Sequence, residues 1–160
     1  FPTRRSSDLL LAAIAKMAAD EVHNFGLPPK VAFVSHSNFG SSKRPSALRM
    51  RAARDLFRAK HPDISCDGEM HGDSALSAAL RERAVSDSTL QGEANLLVCP
   101  NVDAGNIAYN LLKTAAGSNV AVGPFLLGTR APVHILTSSS TVRRIVNMTA
   151  LTIIDANRTE

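Results

Sequence analysis

ANLLVCPNVDAGNIAYNLLKTAAGSNVAVGPFLLG, residues 94–128, is the stretch on which the reading of the chain turns. Residues 95–99 form an apolar run of the length of a buried strand, and Pro100 stops it. Asp103 is placed to cap a helix that opens at Ala104-Gly105-Asn106 and runs to about Ala116, where Gly117 ends it. A second strand is expected at residues 120–122, followed by the turn at Gly123-Pro124. Two strands, each leading into a glycine-containing loop, place backbone amides where a ligand can meet them.

Working outward, strands and helices alternate. Residues 9–25 carry apolar side chains at helical spacing, among them Leu10, Ile14, Met17, Ala18 and Val22, with Ser7 or Asp8 as cap and Gly26 as stop. Residues 30–35 (KVAFVS) read as a short strand, and Ser46 as the cap of a helix over residues 47–60. Residues 64–70 read as a weaker, alternating strand, and Asp73 as the cap of a helix to about Ala84. Residues 132–136 (PVHIL) are expected to be a strand. Residues 142–157 are expected to be a helix with Val142, Ile145, Val146, Thr149 and Ile153 toward the core. This alternation predicts βαβ units, a largely parallel sheet and helices on both faces.

The composition bounds the function. The 160 residues are 44% hydrophobic and 20% charged, enough for one domain with a sizeable core. A net charge of +4, no Trp and one Tyr give little support for nucleic-acid binding. No window reaches the roughly 18 apolar residues of a membrane span. Cys66 and Cys99 lie far apart in or beside apolar runs, and the expectation is two free thiols in a reducing, cytoplasmic setting. No His/Cys spacing resembles a zinc site. Residues 1–8 (FPTRRSSD) do not blend into the helix that follows and lack a signal-peptide pattern; they are expected to be an artefactual or unstructured leader to a domain at residues 9–160.

The expected strand ends are rich in Gly, Ser, Thr and Asn. The loop from Ser35 to Ser42, with Ser37 and Asn38, reads either as a ligand loop or as a plain surface loop; its spacing is not that of a P-loop. Asp103 to Asn106 reads as a helix cap, an anion-facing helix start, or both. Thr137 to Thr141 is a run of hydroxyls with no carboxylate within a turn to activate one. His134 reads as packed. Arg51, Arg54 and Arg58 share a helical face, read as solvated, with an acidic partner or a cofactor phosphate as the sharper reading.

In order along the chain, residues 33–41 (FVSHSNFGS), 67–75 (DGEMHGDSA), 94–98 (ANLLV), Ala104-Gly105-Asn106-Ile107 and Gly123-Pro124 resemble the phosphate acetyl/butyryltransferases over nearly the whole chain. The resemblance is to the C-terminal half of such a transferase. It implies a three-layer α/β/α fold like that of isocitrate and isopropylmalate dehydrogenases, and a family activity that interconverts acetyl-CoA and acetyl phosphate. The ligand-binding positions it implies are Ser37, Asn38, Gly105, Asn106, Gly123, Pro124, Thr137 and Ser138. Active family members carry a Ser-Arg pair and then a carboxylate where this chain has Thr137, Ser138 and Arg144. Losing that Arg removes a cation that would offset phosphate or thiolate charge, and Arg144 reverses the charge of the base.

The wording of residues 132–137 (PVHILT) and 146–150 (VNMTA) is similar to the transferase-like tails of fused NADP-dependent malic enzymes. That resemblance implies a domain that binds acetyl-CoA, or a related acyl-CoA, as a regulatory ligand, without nucleic-acid or membrane partners and in a homo-oligomer. NADP and a divalent metal would belong to a malic enzyme part outside this chain. Two other readings stay open: an active acyltransferase that uses other residues, and a purely structural dimerisation domain.

Overall fold

A computed structural model describes residues 7–115, 123–138 and 140–158. The chain divides into two compact units, Phe1–Ala108 and Tyr109–Glu160. The strand expected at residues 120–122 lies outside the described residues.

The first unit holds a parallel sheet of three strands, β1 Lys30–Val34, β2 Ser65–Met70 and β3 Leu96–Val98, in the order β2-β1-β3. Helix α1 (Asp8–Asn24) precedes β1, and α2 (Pro45–Lys60) joins β1 to β2. The short helices α3 (Gly72–Leu76) and α4 (Ala78–Ala84) lead toward β3, and α5 is Val102–Ala115. The expected parallel α/β architecture is present.

One face of the sheet is covered by α1 and α2. Val31 and Phe33 of β1 pack with Leu11, Ala15 and Ala19 of α1 and with Met50, Ala53 and Phe57 of α2. Alanines on the facing sides let the two helices approach closely. Phe33 and Phe57 meet edge to face with centroids 5.8 Å apart, and each buried ring contributes roughly 1.5–3 kcal/mol. On the other face Ala32, Met70, Ala75 and Leu90 form a smaller core.

The structure corrects several local expectations. The buried stripe of α1 is Leu11, Ala12, Ala15 and Ala19, whereas Leu10 and Ile14 are exposed. Ser7 does cap this helix, accepting from Leu10 N at 3.1 Å. Helix α2 starts earlier than Ser46, with Arg44 as its cap residue and Pro45 in its first turn, where a missing N–H costs nothing. The single helix expected after Asp73 is two helices broken at Ser77, whose extended backbone (φ −138°, ψ 111°) ends one and whose hydroxyl caps the other. Asn101, not Asp103, caps α5, accepting from Ala104 N at 2.9 Å; Asp103 sits inside the first turn. Residues 132–136 are not a strand.

Strand β2 was expected to alternate and does not: residues 66–70 are all buried. Its register against β1 explains this. Phe33 pairs with Gly68 but Val34 pairs with Met70, so Glu69 is an extra residue, a bulge. The one-residue slip inverts the faces, which puts Cys66 in the larger core and Met70 in the smaller one.

Arg81 of α4 is 1% exposed and is satisfied by oxygen acceptors of the surrounding chain. It donates to the carbonyls of Ser74 (3.0 Å), Leu90 (2.9 Å) and Gly92, and to Ser88 Oγ (3.1 Å). These bonds tie residues 88–92 to α3 and α4. Arg81→Met leaves those acceptors without donors, an expected loss of about 2–3 kcal/mol. Urea denaturation measures the loss, and early proteolytic cleavage within residues 85–93 locates it.

In the second unit α6 is Val142–Arg158, and Thr141 Oγ1 accepts from Arg144 N at its start. Met148 is buried there, while Val142, Val146 and Ile153, expected to face a core, are 78%, 60% and 56% exposed. His134 is packed as expected, its side chain 5% exposed and edge-on to Phe125 at 5.5 Å. No described helix is long and apolar enough to cross a membrane.

Candidate functional site

The carboxyl ends of β1 and β2 lie side by side because the strands are parallel neighbours. The loop leaving β1 therefore folds over the end of β2, and it is fastened there at several points. Ser35 N donates to Met70 O (2.8 Å) and Phe39 N to Glu69 O (2.7 Å). Asn38 donates through Nδ2 to Ser74 Oγ (3.2 Å) and accepts through Oδ1 from His71 N (3.1 Å). Phe39 adopts a left-handed φ of 46° within this turn.

Glu69 is the centre of the fastening. Its side chain is fully buried and its two oxygens take four donors. Arg51 grips it with Nε and Nη2, both at 2.9 Å, while Ser37 Oγ donates at 2.7 Å and Gly40 N at 2.9 Å. Burial alone pushes this carboxyl up; the Arg51 guanidinium, the Ser37 hydroxyl and the Gly40 amide more than offset it and hold it at about 2. The same pairing raises Arg51.

A second carboxylate on β2 is built in the same way. Asp67 accepts at Oδ1 from Arg54 and Arg58 (3.1 Å each) and from Gly68 N (2.8 Å). At Oδ2 it accepts from Ser88 Oγ (2.8 Å) and Thr89 N (2.9 Å). Burial works against its ionisation, but the Gly68 amide, Ser88, the Thr89 amide and Arg58 together lower it. The arginine face expected to be solvated is thus turned onto the acids of β2. Arg58 Nη2 and Thr89 Oγ1 also donate to Cys66 O (3.2 and 2.8 Å), covering the outer edge of the sheet.

Ser37 and Asn38 lie together in this loop, with Ser37 fully buried and engaged by Glu69 and by Ser42 N. Gly105 and Asn106 lie in the first turns of α5, Gly105 against Cys99. The remaining expected positions belong to the second unit. Gly123 has φ +110° and a cis peptide to Pro124. Thr137 and Ser138 are exposed in a short turn closed by Ser140 N donating to Thr137 O at 2.9 Å. Arg144 lies in the first turn of α6, which contains no acidic residue. Cys66 and Cys99 are free thiols pushed up by burial. Among the described residues no group of three or more His, Cys, Asp or Glu could hold a metal, so no metal site is assigned.

Sequence reading missed Glu69, Asp67 and Arg81. The signal was present for the first two: paired acids inside a strand short enough to be buried, with arginines at helical spacing one helix earlier.

A parallel sheet with helices on both faces and a serine-glycine turn fastened across its strand ends defines an α/β domain of the parallel-sheet class. The chain belongs to the phosphate acetyl/butaryl transferase family, which it matches over residues 6–153. It is 52% identical over 146 residues to an NADP-dependent malic enzyme of Escherichia coli, covering 91% of this chain and 19% of that enzyme. It is 42% identical over 143 residues to a phosphate acetyltransferase of Paracoccus denitrificans, covering 89% of this chain and 45% of the relative. Among solved structures, the EutD phosphotransacetylase from Staphylococcus aureus superposes with a TM-score of 0.85 at 32% identity, over 96% of this chain and 47% of that one. The chain thus spans about a fifth of the malic enzymes it matches and just under half of these transferases.

Proposed function

We propose that this chain is the transferase-like domain of a cytoplasmic malic enzyme, and that it binds acetyl-CoA or a related acyl-CoA as a regulatory ligand without transferring the acyl group. The observation that carries this reading is Arg144. Where the family resemblance calls for a carboxylate base, a guanidinium stands in the first turn of α6. A cation there cannot take a proton from a thiol, and it opposes the positive end of the helix dipole. Ser138, at the position of the family's arginine, supplies no charge to stabilise a transferring group. The identity to malic enzymes favours that parent protein.

The positions that the family resemblance assigns to a ligand are Asn38, Gly105 and Asn106 in the first unit and, separately, Gly123, Pro124, Thr137 and Ser138 in the second, whereas Ser37, fully buried on Glu69, holds the loop. NADP and the divalent metal that serve malate oxidation are assigned to the part of the enzyme outside this chain. One relative, from Rhizobium meliloti, is an NAD-dependent malic enzyme at similar identity, which supports assigning the choice of nicotinamide to that other part. The apolar stripe left exposed on α6 supports a homo-oligomer formed through this domain.

The test is turnover. With acetyl-CoA and phosphate, the purified chain is expected to release no CoA above background. Release that collapses on Thr137→Ala would instead establish an acyltransferase.

A further inference from the structure

A cavity of about 320 Å³ opens at the outer edge of β2, between α2 and residues 85–89. Arg51, Arg54 and Arg58 line one side; Asp67, Glu69 and Thr89 line another. The acceptors here are used up while the donors are not. Glu69 takes four hydrogen bonds, filling its roughly four lone-pair sites, and Asp67 takes five, three of them crowded on Oδ1. Each guanidinium has more N–H groups than it spends on these acids. Arg54 places one hydrogen bond on Asp67, and its buried Nε lies 2.7 Å from Asp55 outside hydrogen-bonding geometry. Arg58 spends only Nη2 among the bonds described, and its side chain is 39% exposed. Three guanidiniums face two buried carboxylates, and Asp55, exposed on α2 and outside the cavity lining, balances the charge of Arg54, so the inner wall offers unspent N–H donors and not a net charge. Asp87, exposed at the rim, is the remaining acid of the lining.

We propose that this cavity is a phosphate-binding pocket in which Arg54 and Arg58 supply the unspent donors and Asp87 guards the rim. Phosphate oxygens are the acceptor-only, charged partners that forked guanidinium donors match. The pocket is built from the first unit alone and stands whether or not the domain binds acyl-CoA. Its ligand is either a free inorganic phosphate species or the phosphate groups of a nucleotide-type molecule.

The experiment is calorimetric titration of the purified chain with inorganic pyrophosphate and, separately, with adenosine 3′,5′-bisphosphate. It is repeated on Arg54→Gln, Arg58→Gln and Asp87→Asn, each checked for folding by circular dichroism. Saturable binding of at least one probe is expected, weakened about tenfold or more by either arginine variant. Asp87→Asn is expected to tighten it about two- to fivefold, a gain that loss of stability cannot imitate. Response to pyrophosphate alone assigns the pocket to a free anion, and response to the bisphosphate assigns it to a nucleotide-type ligand. Absence of binding by both probes overturns the proposal, as does binding that none of the three substitutions changes.

Discussion

Glu69→Ala is expected to cost about 3–5 kcal/mol of folding stability, read as a lower urea midpoint at unchanged slope. The deletion removes the only carboxylate described for the Arg51 fork and leaves the Ser37 hydroxyl and the Gly40 amide without their acceptor. The cost is that of stranding donors in a closed space, not the net worth of one ion pair. Arg51→Met combined with Glu69→Ala is therefore expected to cost less than the sum of the two single changes. Additive losses would show that the pair is not coupled.

The same carboxyl sets an acid limit. It is held at about 2, below its ordinary 4.5, so its contribution is complete above pH 4.5 and is lost as pH falls from there toward 2. That difference corresponds to about 3 kcal/mol. Asp67, also lowered, adds loss in the same direction. In Glu69→Gln the share due to Glu69 is absent, so the gap between the natural chain and this variant should narrow on acidification through that window. A gap that stays constant would mean that Glu69 is not ionised in the folded protein at neutral pH.

Gly68→Ala is expected to be nearly as damaging, at about 3 kcal/mol or more. Gly68 sits at φ +134°, where L side chains rarely go, and an added Cβ would lie 2.6 Å from the carbonyl oxygen of Phe33. That oxygen belongs to the central strand, packed on both faces, and cannot yield as the end of a flexible side chain would. Relief requires β2 to move off β1, which also carries Glu69 away from Arg51. Loss of stability should therefore come with faster amide exchange in residues 35–42, next to the bulge. Gly26→Ala makes a control: its φ is +76°, but nothing lies within 4 Å of an added Cβ, so only the backbone strain of about 1–2 kcal/mol is expected.

The parallel sheet was legible because its apolar runs alternate with helical spacing, and no other architecture joins such runs through helices so simply. The ends of elements were harder to read. Asn101 and Asp103 both suit a helix start, and only the backbone path decides between them. Residues 132–136 carry the residues of a strand yet do not form one in the described structure, because strand formation needs a partner that local propensity does not supply. The acids and arginines around the β1 loop were readable as residue types, but which of them fasten the loop was not. A bulge is a relation between two strands, so nothing within the residues of β2 says that Glu69 is the extra one. Arg81 was equally hidden, since a buried cation held by main-chain carbonyls looks in sequence like any arginine on a short polar helix.

Under the proposed function this domain binds acyl-CoA without consuming it. Titrating the purified chain with acetyl-CoA in a calorimeter, at concentrations up to the high micromolar range, tests it most directly. Saturable heat is expected, with the thioester recovered intact. Absence of heat from a chain shown to be folded, or recovery of free CoA in the presence of phosphate, would contradict it.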